Sequence, residues 1–170
     1  MIAQLVQGSA DDLDAVMQVM TAAFPDRFGE AWTRSQCAGI LPMTGVKLIL
    51  AEDGDDKVVG FSLYRTITDD AELLLLAVDP DSQGKGIGRQ LLSNFIEESR
   101  KQGASRIHLE VRDGNSAIEV YRAAGFDQVN RRRNYYRSRD GDSFDALTFV
   151  LSNEDWSTSI LALYCRVHFK

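Results

Sequence analysis

Long apolar runs are what this chain most lacks. It has 170 residues, and no apolar stretch (Leu73–Val78 is representative) approaches the ~20 residues that a membrane-spanning helix needs. Cysteine is scarce as well: Cys37 and Cys165 stand far apart, with no metal-type spacing and no second pair. That pattern excludes a disulfide framework and suits a reducing, cytoplasmic compartment. With two histidines, and no His, Cys or carboxylate cluster at ligand spacing, no metal site is expected. The opening Met1-Ile2-Ala3-Gln4 carries neither a basic region nor a long apolar run, so no signal peptide is expected. Basic charge is in deficit, with 19 Lys and Arg against 25 Asp and Glu, for a net −6. This argues against a general nucleic-acid binder and favours a basic partner.

What is present is the profile of one soluble domain with a core of its own: 44% hydrophobic and 26% charged residues. Ile2 to Gln7 reads as a first strand. Ser9, followed by Ala10-Asp11-Asp12, is a good N-cap with acids in the first turn, and Leu13, Val16, Met17 and Met20 recur at helical spacing to about Ala23. Glu30 to Ile40 is expected to be a second helix, set off by Pro25 and Pro42. Val46–Glu52 and Val58–Ile67 form a hairpin around Asp53-Gly54-Asp55-Asp56. Ala71–Val78 is the nearly continuous apolar strand of a sheet interior. A helix beginning near Gly88 buries Ile87, Leu91, Leu92, Phe95 and Ile96 and ends on Gly103. Arg106–Arg112 is a strand, Asn115–Ala124 a short helix closed by Gly125, and 126–137 and 143–151 a long hairpin around Asp140-Gly141-Asp142. The order is mixed α/β, with one domain expected over 1–151. Residues 152–170 form an extension that reads equally as an eighth strand, a partner-binding segment or an added tail.

The run Gln83-Gly84-Lys85-Gly86-Ile87-Gly88 joins the apolar strand to a helix start. The first amides of a helix have no intrahelical acceptor and attract anions, and glycine lets a phosphate come close. A P-loop is excluded because no hydroxyl residue follows Lys85 in register. A dinucleotide fingerprint is excluded because glycines at 84, 86 and 88 have the wrong spacing. The alternative, a plain flexible turn, is disfavoured by the flanking strand, Pro80 and helix.

In Arg106-Ile107-His108-Leu109-Glu110-Val111-Arg112 the period of two puts His108, Glu110 and Arg112 on one face. A glutamate inside an interior strand needs a partner or water, so Glu110 is either a chemical group or half of an ion pair with an arginine. Tyr121, on the next helix, is either a proton donor or a hydrogen-bonded core tyrosine. His108 reads as a packed strand residue. Asp69, Asp70 and Glu72 read as a solvated edge cluster near the acceptor side of the cleft, and Arg131-Arg132-Arg133 as a solvated basic triplet.

Gln-x-x-Gly-x-Gly after a strand resembles the acyl-CoA signature of the GCN5-related N-acetyltransferases, the GNAT family. Leu109-Glu110-Val111-Arg112, Ala117-Ile118-x-x-Tyr121-x-x-x-Gly125-Phe126, Arg132-Arg133-Asn134-Tyr135-Tyr136 and Asp145-Ala146 are similar to the bacterial RimI-type members, which acetylate the N-terminal alanine of a ribosomal protein. The resemblance covers roughly residues 3 to 151. It implies the GNAT fold, a central and mostly antiparallel sheet flanked by helices, and acetyl-CoA as cofactor. It implies Glu110 as general base and Tyr121 as general acid toward the CoA thiolate. It places Leu76, Ala77 and Val78 beside the pantetheine arm, and Gln83, Gly84, Lys85, Gly86, Ile87, Gly88 and Arg89 around the pyrophosphate. Tyr135 and Tyr136 would lie near the acceptor peptide. One departure stands out. Asn115-Ser116-Ala117-Ile118 is one residue shorter than the usual Asn-x-x-Ala-Ile, which leaves a contact of Asn115 with CoA open.

This chemistry suits an α-amine. Deprotonating a group of pKa near 8 at pH 7 costs ~1 kcal/mol, against ~4.6 kcal/mol for a lysine near 10.4. A glutamate acting through a water can manage the first. A backbone N–H near Leu76–Val78 is expected to face the developing oxyanion. Direct transfer in a ternary complex is expected, because neither cysteine falls in a motif. The acceptor is expected to be a protein N-terminus, with ribosomal protein as the family's example. A small amine or lysine is the alternative, and a non-catalytic acyl-CoA module a more distant one. No membrane or direct nucleic-acid partner is expected.

Overall fold

The computed structural model describes residues 3–138 and 140–152. Its elements are β1 (Gln4–Gln7), α1 (Leu13–Ala23), α2 (Arg34–Ile40), β2 (Val46–Glu52), β3 (Val58–Ile67), β4 (Asp70–Val78), α3 (Ile87–Lys101), β5 (Arg106–Arg112), α4 (Ala117–Ala123), β6 (Asp127–Arg137) and β7 (Ser143–Ser152). The strands form one sheet in the order β1-β2-β3-β4-β5-β7-β6. Only β4 and β5 run parallel; every other neighbouring pair is antiparallel. The expected extension begins inside β7, which continues to Ser152; Cys165 and residues 153–170 lie outside the described residues. Among the described residues no helix is long and apolar enough to cross a membrane.

Strand alternation divides the core between two faces of the sheet. Leu48 and Leu50 of β2 pack with α1 (Leu13, Val16, Val19, Met20) and with Cys37 of α2. Ile49 and Ala51, pointing the other way, join Leu91, Leu92, Phe95 and Ile96 of α3 and Ile118 and Tyr121 of α4. The result is helices on both sides of one sheet.

The start of α1 follows its sequence signal. Ser9 and Asp12 form a capping box, the Ser9 N–H donating to Asp12 Oδ2 at 2.7 Å, and a single 3-10 turn leads into the α-helix. The second helix is shorter than its periodicity suggests. Instead of spanning Glu30 to Ile40 it begins at Arg34, because Thr33 caps it: the Gln36 N–H donates to Thr33 Oγ1 at 3.2 Å, and the Thr33 N–H to Gln36 Oε1 at 2.7 Å. Asp26–Phe28 is a 3-10 turn, and Glu30 and Trp32 lie in the connecting segment.

The feature that positions the site is a break in β4. Leu75 pairs with Leu63 and Leu73 with Tyr64, so Leu74 is an extra residue on β4. The extra residue reverses the alternation. Ala71 and Leu73 pack toward α3, whereas Leu75 and Ala77 pack toward α1. Pairing with β5 covers Asp70–Leu73 against Arg106–Leu109 and stops at the same place. Beyond it β5 continues to pair with β7 as far as Arg112. The two parallel strands therefore part, and a cleft opens between them.

Candidate active site

The cleft has a volume of about 760 Å³. The diverging ends of β4 and β5 form its floor, the Gln83–Arg89 turn one wall, and the 24–32 segment with Tyr136 the other.

On the first wall, Gly84 and Gly86 have φ of +74° and +85°, the left-handed region that glycine adopts without strain. A Cβ placed on either meets nothing within 4 Å, so the space in front of them is open. Gly86 is the N-cap of the 15-residue α3 and has no side-chain cap. The first intrahelical bond there is from the Gln90 N–H to Gly86 O, at 3.0 Å. The amides of Ile87, Gly88 and Arg89 are thus left without a helical acceptor. Gln83 turns its side chain back, Nε2 donating to Val78 O at 3.0 Å, which ties the turn to the end of β4. Arg89 adds a cation to the cleft lining. Ile87 anchors the helix start by burying its side chain in the core. Lys85 does not line the cleft; its Nζ donates to Asp81 O at 2.9 Å.

On the floor, Leu74–Val78 line the cleft along the stretch of β4 that has lost β5 as a partner. Glu110 and Tyr121 both face the same cavity. The arginine partner considered for Glu110 is present: Arg132 Nη1 donates to Oε1 and Oε2 at 3.1 and 3.2 Å. Arg132 in turn lies over the Tyr135 ring, its Cζ 4.0 Å from the centroid. The carboxylate is therefore oriented by β6 while it borders the cleft. Tyr121 is 6% exposed and packs edge-on against Phe126 at 6.2 Å between centroids. Burial, with the Glu30 and Tyr136 charges behind it, raises its hydroxyl pKa well above the usual phenolic range. Tyr136 is raised in the same way, first by burial and then by Glu30 and Glu110.

The adjacent tyrosines of β6 face different ways. Asn134 has φ +52°, and the β6–β7 register slips between Arg132 and Tyr136. Asp145 holds this bulge, its Oδ1 accepting from the Asn134 N–H at 3.0 Å. Tyr136 lines the cleft, while Tyr135 stands outside it at 45% exposure.

Glu30 is a cleft-lining acid that the sequence patterns above do not single out. Its side chain is 8% exposed and borders the cleft beside Arg112, which is 10% exposed. Glu30 Oε2 lies 3.0 Å from Arg112 Nε, whose N–H is not aimed at it, so this is an ion-pair contact. Glu30 Oε1 accepts from Asn115 Nδ2 at 2.9 Å. Arg112 lies over the Phe28 ring at 3.7 Å, and Phe28 packs edge-on against Phe144 at 5.3 Å. The detectable signal was Thr33-x-x-Gln36, which ends the loop and releases Glu30 from the helix.

Of the acids around the start of β4, Asp70 and Glu72 are in ion pairs, Asp69 Oδ1 accepts from Thr68 Oγ1 at 3.3 Å, and all three lie outside the cleft. Asp70 meets His108 Nε2 at 2.8 Å and Arg106 at 3.0 Å, and Glu72 meets Arg65 at 3.4 Å. These residues sit at the β5-paired end of β4, opposite to the opening, which is why they do not reach the acceptor side. In the basic triplet, Arg131 bridges Asp113 and Asp145 at 2.9 and 2.8 Å, and Arg132 is taken by Glu110.

Comparison with known proteins agrees with this architecture. Residues 13–126 match the model of the acetyltransferase (GNAT) family. The [ribosomal protein bS18]-alanine N-acetyltransferase of Escherichia coli K12 is 42% identical over 96 residues, 56% of this chain and 64% of that relative. The N-alpha-acetyltransferase RimI of Mycobacterium tuberculosis is 40% identical over 83 residues, 48% of this chain and 51% of the relative. These matches span less than two thirds of the relatives' length. The crystal structure of the ribosomal-protein-S18-alanine N-acetyltransferase from Escherichia coli superimposes with a TM-score of 0.78 at 31% identity, covering 89% of this chain and 94% of that one. The chain belongs to the GNAT acetyltransferase family.

Proposed function

We propose that this protein transfers the acetyl group of acetyl-CoA to the N-terminal α-amine of a protein, in a ternary complex and without a covalent enzyme intermediate. A ribosomal protein is the acceptor class that its relatives' names suggest. The observation that carries the reading is that Glu110, Tyr121 and the open glycine turn border one cleft, over a strand edge that has lost its neighbour.

The residues fit the cofactor. Three uncapped amides at the start of α3, open space before Gly84 and Gly86, and Arg89 together suit a diphosphate. The free edge of β4 at Leu76–Val78 offers backbone groups to an extended, amide-containing arm. Bound there, acetyl-CoA supplies an activated thioester carbonyl.

Glu110, held by Arg132, accepts the amine's proton through a water. Transfer would form a C–N bond at the amine as the thioester C–S bond breaks, and a β4 amide near Leu76–Val78 would be the donor for the oxygen on which charge develops. Tyr121 stays protonated at working pH because burial disfavours its anion. Tyr121 is the group that would give a proton or a hydrogen bond to the leaving sulfur as charge builds on it. Cys37 is 2% exposed in the α1–α2 core and is out of reach as an acyl carrier.

The test is a panel of peptides starting with Ala, Ser, Met or Gly, assayed with acetyl-CoA. Acetylation that depends on the first residue is expected. Transfer only to small amines would shift the assignment to the alternative acceptor class.

A further inference from the structure

Asn115 opens the short loop before α4, on the path expected to touch the cofactor. It lines the cleft, and its side-chain hydrogen bonds go to protein groups. Oδ1 accepts from the Ala117 N–H at 2.9 Å, which starts α4. Nδ2 donates to Glu30 Oε1 at 2.9 Å, across 85 residues of sequence. Glu30 faces Arg112 at 3.0 Å, and Arg112 Nη1 donates to Asp113 O at 3.0 Å, inside the same loop. Gly114 turns the loop with φ +82°, its Cβ position at ordinary contact distance, 3.6 Å, from Arg112 Nη1. In this short loop the Asn115 amide lies against the Glu30–Arg112 pair.

The 24–32 segment has no regular element between its 3-10 turn and Thr33, and Phe24 and Trp32 pack its ends against the core. Gly29 packs against Arg137 O so closely that a Cβ would come within 2.2 Å of it. Phe28 rests on Arg112 and Phe144. Glu30 adds a polar attachment, through Asn115 and Arg112. A buried carboxylate keeps one position only if its oxygens are engaged, and Asn115 engages one of them.

We propose that Asn115 is a positioning residue for the acceptor wall of the cleft, fixing Glu30 and through it the 24–32 segment, and is not a cofactor ligand. The proposal rests on the acetyltransferase reading for its kinetic test but has a readout independent of activity.

Asn115→Ala removes the amide. Asn115→Asp keeps its shape but sets a carboxylate against Glu30. In both, calorimetry should give an acetyl-CoA dissociation constant within about twofold of wild type. The KM for an Ala-starting peptide should rise about tenfold, the scale of one charge-assisted hydrogen bond, with a smaller change in kcat. Glu30→Gln should raise KM in the same way, and adding Asn115→Ala to it should change little more, because the two act as one unit. Hydrogen exchange should quicken at 24–32 and stay unchanged at 83–90, a result readable even if the peptide is never acetylated. A weakened acetyl-CoA affinity with unchanged acceptor KM and unchanged exchange at 24–32 would overturn the proposal, as would fully additive effects of the two substitutions.

Discussion

At the residue scale the proposed mechanism rests on two side chains of different character. Glu110 is oriented by Arg132 Nη1, which donates to both carboxylate oxygens, and borders the cleft. Glu110→Gln keeps size and a hydrogen-bonding oxygen but cannot accept the amine's proton. It should lower kcat about 10²- to 10⁴-fold while acetyl-CoA still binds, as steady-state kinetics and calorimetry together would show. A wild-type kcat would remove Glu110 from the proton path. Tyr121→Phe deletes one hydroxyl from a buried site and should lower kcat about 10²-fold, the usual effect of losing one donor to developing charge, with little change in cofactor affinity. An unchanged rate would leave the tyrosine a core residue. Both roles were open on sequence alone. Strand alternation placed Glu110 on a face but could not tell ion pair from base, because Arg132 is 22 residues away and arrives only through the β6–β7 hairpin.

At the element scale, glycines of positive φ divide into those that serve the fold and those that serve the cleft. At Gly45 (φ +79°) a Cβ would lie 2.1 Å from Thr66 O, a backbone atom that cannot yield. Gly45→Ala should cost more than ~2 kcal/mol in denaturant unfolding. At Gly86 (φ +85°) no atom lies within 4 Å, so Gly86→Ala carries only the strain of the left-handed conformation, about 1–2 kcal/mol. Its larger effect should be on acetyl-CoA affinity, because the methyl group enters the cradle. A loss of stability without loss of affinity would count against the cradle.

The elements themselves were largely legible. Turn chemistry at Asp53–Asp56, the Ser9 cap, the apolar run of β4 and the glycine closing α3 are local signals, and each held to within a residue or two. The second helix was misjudged because its apolar positions continued upstream while a capping box, Thr33 to Gln36, fixed its true start. The bulge at Leu74 left no trace in a run of four leucines, because any register buries leucine equally well. Glu30 and the redirected Asn115 belong to contacts across 85 residues, which no local pattern encodes.

At the scale of the molecule, one sheet supplies both a rigid core and an opening. Helices on both faces fix β4, and the bulge with the shortened β4–β5 pairing releases its end into the cleft. The packed phenols give this whole an alkaline signature. Burial raises Tyr64 to about 12, with the Glu98 charge adding to it, and raises Tyr121 and Tyr136 as well. The folded state therefore keeps protons that the unfolded chain loses near pH 10. Their contribution to stability is complete below pH 10 and declines above it, through about pH 12 for Tyr64. Tyrosinate absorbance followed with pH should lag in the native protein and catch up on unfolding. Coincident native and denatured curves would contradict the burial of these rings.

The most direct measurement uses one peptide with a free N-terminal alanine and an internal lysine, incubated with acetyl-CoA and the protein and read by fragment-ion mass spectrometry. The account predicts a single acetyl group on the α-amine, lost when Glu110 is replaced by Gln. An acetyl group on the lysine, or turnover that is indifferent to that replacement, would contradict it.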